Sequence, residues 1–326
     1  MMIKQLLRKI LPPPVEKVHG YRDRILDAIE EQKLLTFMQM KQTEALAQKF
    51  AAAQGQVIPA TDCLAKQPLT KLQFAFSVAS HCNLNCKGCA HFSPLSQPEY
   101  PDFEEAERDF ARMGELFHGR CSRISLMGGE PLLNPQIEDY CRMARKYFPI
   151  GEIHLVTNGI LLLKMSDSFY ETCKEARISI EVTPYPIKLD HKSIRKRCRR
   201  FGVPYHFYWD ETSKDEFFRY VIDETGSQDM VQNFIDCGNA NYCLFLYKGR
   251  MYPCGAGAHF RIFNDYYQSG MELTDEDSVD IYKVSAGWEL LMEMAKPVPM
   301  CRYCVMSGRK ETFTWGHSKK DKKEWT

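Results

Sequence analysis

Between Leu72 and Tyr208 the chain alternates short apolar runs with longer amphipathic stretches. Leu72–Ala79 (LQFAFSVA), Arg123–Met127, Glu152–Thr157, Arg177–Val182 and Pro204–Tyr208 concentrate β-branched and aromatic residues in the short blocks that buried strands use. Between them, Glu104–Phe117, Gln136–Tyr147, Ser166–Ala176 and His191–Phe201 space apolar residues at helical intervals. Strands alternating with helices of this length predict an α/β fold of parallel βαβ units, as an open sheet or a barrel, with chemistry at the C-terminal strand ends.

The flanks follow other patterns. Arg22–Phe50 keeps helical spacing through Ile25, Ile29, Leu34, Leu35, Met38, Ala45 and Ala47, and Gly55–Pro68 reads as a linker. Met2, Ile3, Leu6, Leu7, Ile10 and Leu11 line one face of a short basic helix; packing on the body is its plain reading and contact with a membrane surface the alternative. Downstream, Cys243–Cys254 reads as a β-hairpin turning at Lys248-Gly249, and Lys319–Lys323 as a frayed basic tail. The division expected is an N-terminal helical extension (1–70), a barrel domain (71–230), and a smaller C-terminal hairpin domain with the tail (231–326).

Composition narrows the classes. With 326 residues, 44% hydrophobic and 12% aromatic, the chain buries a sizeable core and is not mainly disordered. Forty-three Lys and Arg against 42 Asp and Glu leave a net charge of +1, so no overall field favours a nucleic-acid partner. No run has the length of a membrane span. The apolar start is broken by Lys4, Arg8 and Lys9 and followed by Pro12–Pro14, unlike a cleavable leader, so a reducing cytoplasmic setting is expected. There, 13 cysteines suggest metal or redox ligands rather than disulfides.

Cys82, Cys86 and Cys89 lie in one loop, Ser80–Pro94, straight after the first strand, where three thiolates can hold one soft metal centre. The next strand ends carry Gly128-Gly129-Glu130-Pro131, then Thr157-Asn158-Gly159, then Glu181–Pro186 (EVTPYP). A C-x3-C-x2-C loop, a G-G-E-P and a T-N-G on successive strand ends, over roughly residues 72–208, resemble the radical S-adenosylmethionine (radical SAM) superfamily. The resemblance implies a partial (β/α)6 TIM-like barrel. It also implies a 4Fe-4S cluster on Cys82, Cys86 and Cys89, whose fourth iron is left open for the amino and carboxylate groups of SAM. One electron then cleaves SAM to a 5′-deoxyadenosyl radical, which takes a hydrogen atom from the substrate.

In that scheme Gly128 and Gly129 let the backbone approach the methionine, Glu130 accepts from its ammonium, and Asn158, with Thr157 second, reaches the ribose or carboxylate. One departure stands out: the family often carries an aromatic residue on adenine just before the third cysteine, and here that position is Gly88. Phe92 is either the replacement ring or ordinary core. His81 and His91 read as packing and hydrogen-bonding residues. The competing reading of the three thiols is a structural zinc site completed by Cys301 and Cys304.

Cys237, Gly249, Cys254, Cys301 and Cys304 form C-x11-G-x4-C followed by C-x2-C. This resembles the twitch domain, a shortened SPASM extension, and implies a second, auxiliary 4Fe-4S cluster. Cys243 rivals Cys237 as ligand, since it faces Cys254 across the hairpin; the spare thiol is a candidate hydrogen-atom donor. Cys63, Cys121, Cys141, Cys173 and Cys198 read as small buried hydrophobes. The basic run Lys188–Arg200 reads as a solvated helix face, or else a lure for a phosphorylated substrate, and Trp209, Asp210 and Glu211 as a polar cluster at a strand end. The resemblance implies an oxidoreductase acting on a carbohydrate-like small molecule, with a one-electron donor such as flavodoxin or ferredoxin. The alternatives are a peptide maturase or epimerase and, in another class, a zinc or Fe-S binding module.

Overall fold

A computed structural model describes residues 28–29, 31–39, 41–42, 64–208, 216–310 and 312–326. The chain forms two compact units, Met1–Ile58 and Pro59–Thr326. In the first, residues 31–39 are helical and Leu34 is buried. The basic N-terminal helix, Cys63, and the cluster Trp209, Asp210 and Glu211 lie outside the described residues.

The second unit is built on an eight-stranded sheet. Its strands β1 (Gln73–Ala79), β2 (Arg120–Gly128), β3 (Ile150–Thr157), β4 (Ile178–Val182) and β5 (Tyr205–Phe207) lie side by side in chain order, all parallel. Between them run α1 (Phe103–Leu116), α2 (Ile137–Tyr147), α3 (Asp167–Glu175) and α4 (His191–Phe201). The starts of three of these helices are written in their caps: Asp102, Ser166 and Asp190 each accept from a backbone N–H in the first turn. Alternation sorts the faces of the sheet. Phe74, Phe76, Ile124, Leu126, Ile153, Leu155, Ile178 and Ile180 pack with Phe110, Tyr140, Phe169 and Ile194 of the helices in the main core. Sequential parallel strands with helices on one face make a partial barrel of the TIM type.

A sixth strand does not extend this series. β6 (Glu216–Phe218) leaves the sheet, and after α5 (Met230–Asp236) the chain returns at the opposite edge. There β7 (Phe245–Tyr247) pairs in parallel with β1 and antiparallel with β8 (Arg250–Tyr252), through the expected turn at Lys248 and Gly249, both at positive φ. The hairpin therefore continues the barrel sheet. α6 (Gly255–Tyr267), β9 (Val279–Asp280) and α7 (Gly287–Glu293) follow, and β10 (Thr312–Thr314) pairs antiparallel with β6. A second core gathers Phe92, Phe234, Phe245, Phe260, Phe263 and Trp325 with Cys237, Cys254 and Cys301.

The tail is not frayed. Asp321 caps a short turn at Lys322–Glu324, Lys322 Nζ lies 2.8 Å from Glu224, and Trp325 is fully buried beside Phe92 and Tyr267. The lysines give this stretch its polar composition, but one large apolar side chain near its end anchors it. Among the described residues no helix is long and apolar enough to cross a membrane.

Candidate functional site

The loop Ser80–Pro94 leaves the C-terminal end of β1 and is fastened to the turn after β2. Gly129 N–H donates to Ala79 O (2.8 Å) and Glu130 N–H to His81 O (3.0 Å). A methyl group on Gly128 would overlap the Ala79 carbonyl, and one on Gly129 the His81 carbonyl. These glycines thus serve close approach, but the backbone they admit is the cysteine loop itself. His91 Nδ1 adds a third link by donating to Gly128 O (2.9 Å), and its ring lies 4.8 Å from that of His259. Both rings are held neutral, His259 at about 3, chiefly by burial. His81 packs edge-on against Tyr100.

Glu130 joins the turns after β2 and β3. Its fully buried carboxylate accepts from Thr157 Oγ1 (2.6 Å), Asn158 N (2.8 Å) and Leu132 N (3.1 Å). Asn158 Nδ2 in turn reaches Asn83 Oδ1 (2.7 Å) and Cys82 Sγ (3.7 Å), so the G-G-E-P and T-N-G motifs and the cysteine loop form one hydrogen-bonded body. Burial pushes the Glu130 carboxyl up to about 7 against these three donations. Its folded value lies above the unfolded value of about 4.3, so the folded protein holds this proton more tightly across that window. The stability it contributes is full below about pH 4 and is lost as pH rises through 7, by on the order of 3 kcal/mol. Urea unfolding at pH 5 and pH 8 should show that difference shrink in Glu130→Gln, which has nothing to titrate; equal pH slopes in the two proteins would refute it.

The three thiols lie within electrostatic reach of one another. Burial pushes Cys82 up to about 11 and Cys86 to about 12, and neighbouring thiols add to the effect. Leu84 N–H points at Cys82 Sγ (3.4 Å) and Trp315 Nε1–H at Cys86 Sγ (3.3 Å). Desolvated thiols that oppose one another's ionisation, yet are met by N–H donors, suit a cationic iron centre that deprotonates them on binding. Among the described residues no three His, Cys, Asp or Glu side chains converge as ligands of a single ion would.

In the second core, Cys237 ends α5, and Cys254 caps α6 with its Sγ accepting from Gly257 N. Cys301 and Cys304 bracket a tight turn whose carbonyls both accept from Asn233 Nδ2 (3.0 and 2.5 Å). Burial, then Cys304, Cys254 and Cys237 in that order among its neighbours, push the Cys301 thiol far up. Cys237 Sγ accepts from Ala240 N (3.3 Å). Cys243 is exposed, within electrostatic reach of Cys237. Cys141, Cys173 and Cys198 are buried in the main core, and Cys121 packs at its margin.

Phe92 needs correction. It is fully buried at φ +52°, with ring contacts to Phe260, Phe263 and Trp325, and has no face left for a cofactor. The space beside Gly88 is filled from the far end of the chain: a Cβ there would stand 3.0 Å from the Phe313 ring. Within the strand-end stretch Glu181–Pro186, the residue not singled out in sequence is Tyr185, whose hydroxyl is within electrostatic reach of Cys86 and whose ring stacks on Phe217 at 5.4 Å. The period-two aromatics Phe313, Trp315 and His317 were the available signal for the covering strand.

On the strand face turned away from the helices, Arg123 donates to Glu181 (3.1 and 2.5 Å), and His154 Nδ1 lies 2.7 Å from the same carboxylate. Burial alone would raise the Glu181 carboxyl, but His154 and Arg123 bring it down to about 2. Ser125 and Ser179 flank this group, in register with His154.

Among curated proteins, the GTP 3′,8-cyclase of Chlorobaculum tepidum is 32% identical over 95 residues, 29% of this chain and 28% of that protein. The GTP 3′,8-cyclase of Aquifex aeolicus is 33% identical over 103 residues, 29% and 30% of the two chains. The chain thus spans less than a third of the length of these relatives. Among solved structures, BtrN in complex with AdoMet and 2-DOIA has a TM-score of 0.44 at 18% identity, covering 71% of this chain and 92% of that one. AnSMEcpe with bound AdoMet and a peptide has a TM-score of 0.34 at 20% identity, covering 42% of each. The Radical SAM superfamily profile matches residues 76–206. That stretch, short of half the chain, carries the cysteine loop and both turns locked to it, and over it the chain is similar to the Radical SAM superfamily.

Proposed function

We propose that this radical SAM enzyme holds its 4Fe-4S cluster on Cys82, Cys86 and Cys89, a second cluster on Cys237, Cys254, Cys301 and Cys304, and oxidises a carbohydrate-like small molecule. When bound, the first cluster and SAM supply reductive cleavage of the sulfonium and removal of a hydrogen atom from a substrate C–H bond. The chain's own part is to hold, orient and shield. Asn158 and Leu84 N–H fix the position of Cys82, while Glu130 keeps the two following strand ends in register with the loop.

The observation that carries the reading is the hydrogen-bonded union of the cysteine loop with both motif turns. Support for the second cluster comes from the four-thiol neighbourhood of Cys301, which includes Cys237, while Cys243 stays exposed. Support for a polyhydroxylated substrate comes from the inner strand face, where Arg123, Ser125, His154, Ser179 and Glu181 offer donors and acceptors in place of apolar residues.

A guanine nucleotide is the second reading, favoured by the name of the curated relatives. The basic helix α4 adds little to it: Arg197 is tied to Asp167 and to the Leu163 and Met165 carbonyls, and Arg195 lies over Tyr205 and Phe207.

Anaerobic purification is expected to give a brown protein with about eight irons per chain, the sum of two four-iron clusters. After chemical reduction it should form 5′-deoxyadenosine from SAM, faster with a cyclitol or sugar alcohol than with GTP or a cysteine peptide. A colourless protein with stoichiometric zinc overturns the whole reading; stimulation by GTP alone overturns the substrate class.

A further inference from the structure

The C-terminal segment Thr312–Thr326 is bound to the cysteine loop along its length. Lys87 N–H donates to Gly316 O and Ser318 N–H to Asn85 O, both at 2.8 Å. His317 Nδ1 donates to Leu84 O (2.8 Å) and Trp325 Nε1 to Cys89 O (2.9 Å). Phe313 covers Gly88. Trp315 lies with its ring 6.2 Å from Tyr185 and its Nε1–H on Cys86 Sγ at 3.3 Å, and the Tyr185 hydroxyl is within electrostatic reach of the same sulfur. Cys86 therefore meets one hydrogen-bond donor, Trp315, and has a second side chain able to donate, Tyr185, within electrostatic reach. Tyr185 comes from the loop after β4 and Trp315 from the residue directly after β10.

We infer that Thr312–Thr326 is a wall of the radical site, and that Trp315 and Tyr185 are positioning residues that fix the Cys86 thiolate and raise the reduction potential of the cluster it ligates. The inference rests on the reading that Cys82, Cys86 and Cys89 hold that cluster. Adding an electron to an iron–sulfur cluster increases the negative charge on its thiolates, so a donor aimed at a ligand sulfur stabilises the reduced state more than the oxidised one. Removing a donor makes reduction harder. A hydrogen bond to a charged group is worth about 1.5–3 kcal/mol, and roughly half of that as the difference between the two redox states corresponds to about a tenfold change in the ratio of reduced to oxidised cluster, 59 mV for a one-electron couple.

Trp315→Phe and Tyr185→Phe each keep a ring and delete one donor. In the reconstituted full-length protein, the reduced 4Fe-4S signal that SAM perturbs would be followed by electron paramagnetic resonance during a redox titration, with iron counted in parallel. Each variant is expected to keep its iron and to show an about tenfold lower ratio of reduced to oxidised cluster at the parent's midpoint potential, with a larger shift in the double variant. Unchanged midpoints at full iron content would overturn the inference and leave the two side chains as packing. Should Trp315→Phe lose iron by disturbing the tail, Tyr185→Phe, which leaves the tail sequence intact, decides alone by the same midpoint. If the parent protein takes up no cluster that SAM perturbs, the underlying reading fails instead.

Discussion

Replacing Cys82, Cys86 and Cys89 together by alanine is expected to abolish 5′-deoxyadenosine formation and to leave about half of the iron, four of roughly eight atoms. The three residues sit in one loop at the end of β1, whereas Cys237, Cys254, Cys301 and Cys304 come from the end of α5, the start of α6 and the turn at Pro299–Tyr303. The second set is embedded in a core of Phe234, Phe245, Phe260 and Phe263 that does not depend on the loop thiols for its packing. The loop cysteines are only half-buried, so the small cavities left by alanine cost little, and the hydrogen bonds that fasten the loop run through its backbone. Activity and iron should therefore separate. Iron and sulfide analysis beside chromatography of 5′-deoxyadenosine reads both, and loss of all the iron would refute an independent second cluster.

What the sequence made legible was local. The five parallel strands and four helices of the barrel follow from apolar spacing and cap residues within a dozen positions of one another, and the cysteine loop and motif turns fall at strand ends by the same logic. The second wall of the site was not legible, because its contacts join residues far apart: Trp315 and Cys86 are 229 positions apart, and nothing near either announces the other. The tail was misread for a compositional reason, since its lysines outnumber the tryptophan that anchors it. Phe92 stayed open between two readings because proximity in sequence does not give direction; at positive φ its ring packs in the second core. At Gly128 and Gly129 the sequence suggests a close approach of backbone to a bound methionine, whereas the backbone that a side chain there would meet is the chain's own, at Ala79 and His81.

That last difference gives the most severe single substitution. Gly129→Ala places a methyl group on the His81 carbonyl and 3.0 Å from Cys82 N, so the obstacle is backbone on both counts and no side chain can swing aside. The loop must move, and with it go the bonds from Gly129 N to Ala79 O and from Glu130 N to His81 O. Glu130 then loses the register that lets one buried carboxylate accept from both Thr157 and Asn158. Overpacking costs about 1–3 kcal/mol, and a buried carboxylate left short of donors adds a comparable amount, so a loss of about 3 kcal/mol or more is expected. Cluster uptake should fall with it, because Cys82 rides on the displaced segment. Gly238→Ala is the matched control: a Cβ there meets nothing within 4 Å, and the change should stay within about 0.5 kcal/mol. Urea unfolding of both variants with iron counted after reconstitution makes the comparison. A Gly129→Ala protein as stable and as iron-rich as the control would show that the cysteine loop is not locked to this turn, and that the glycine there answers to the cofactor alone.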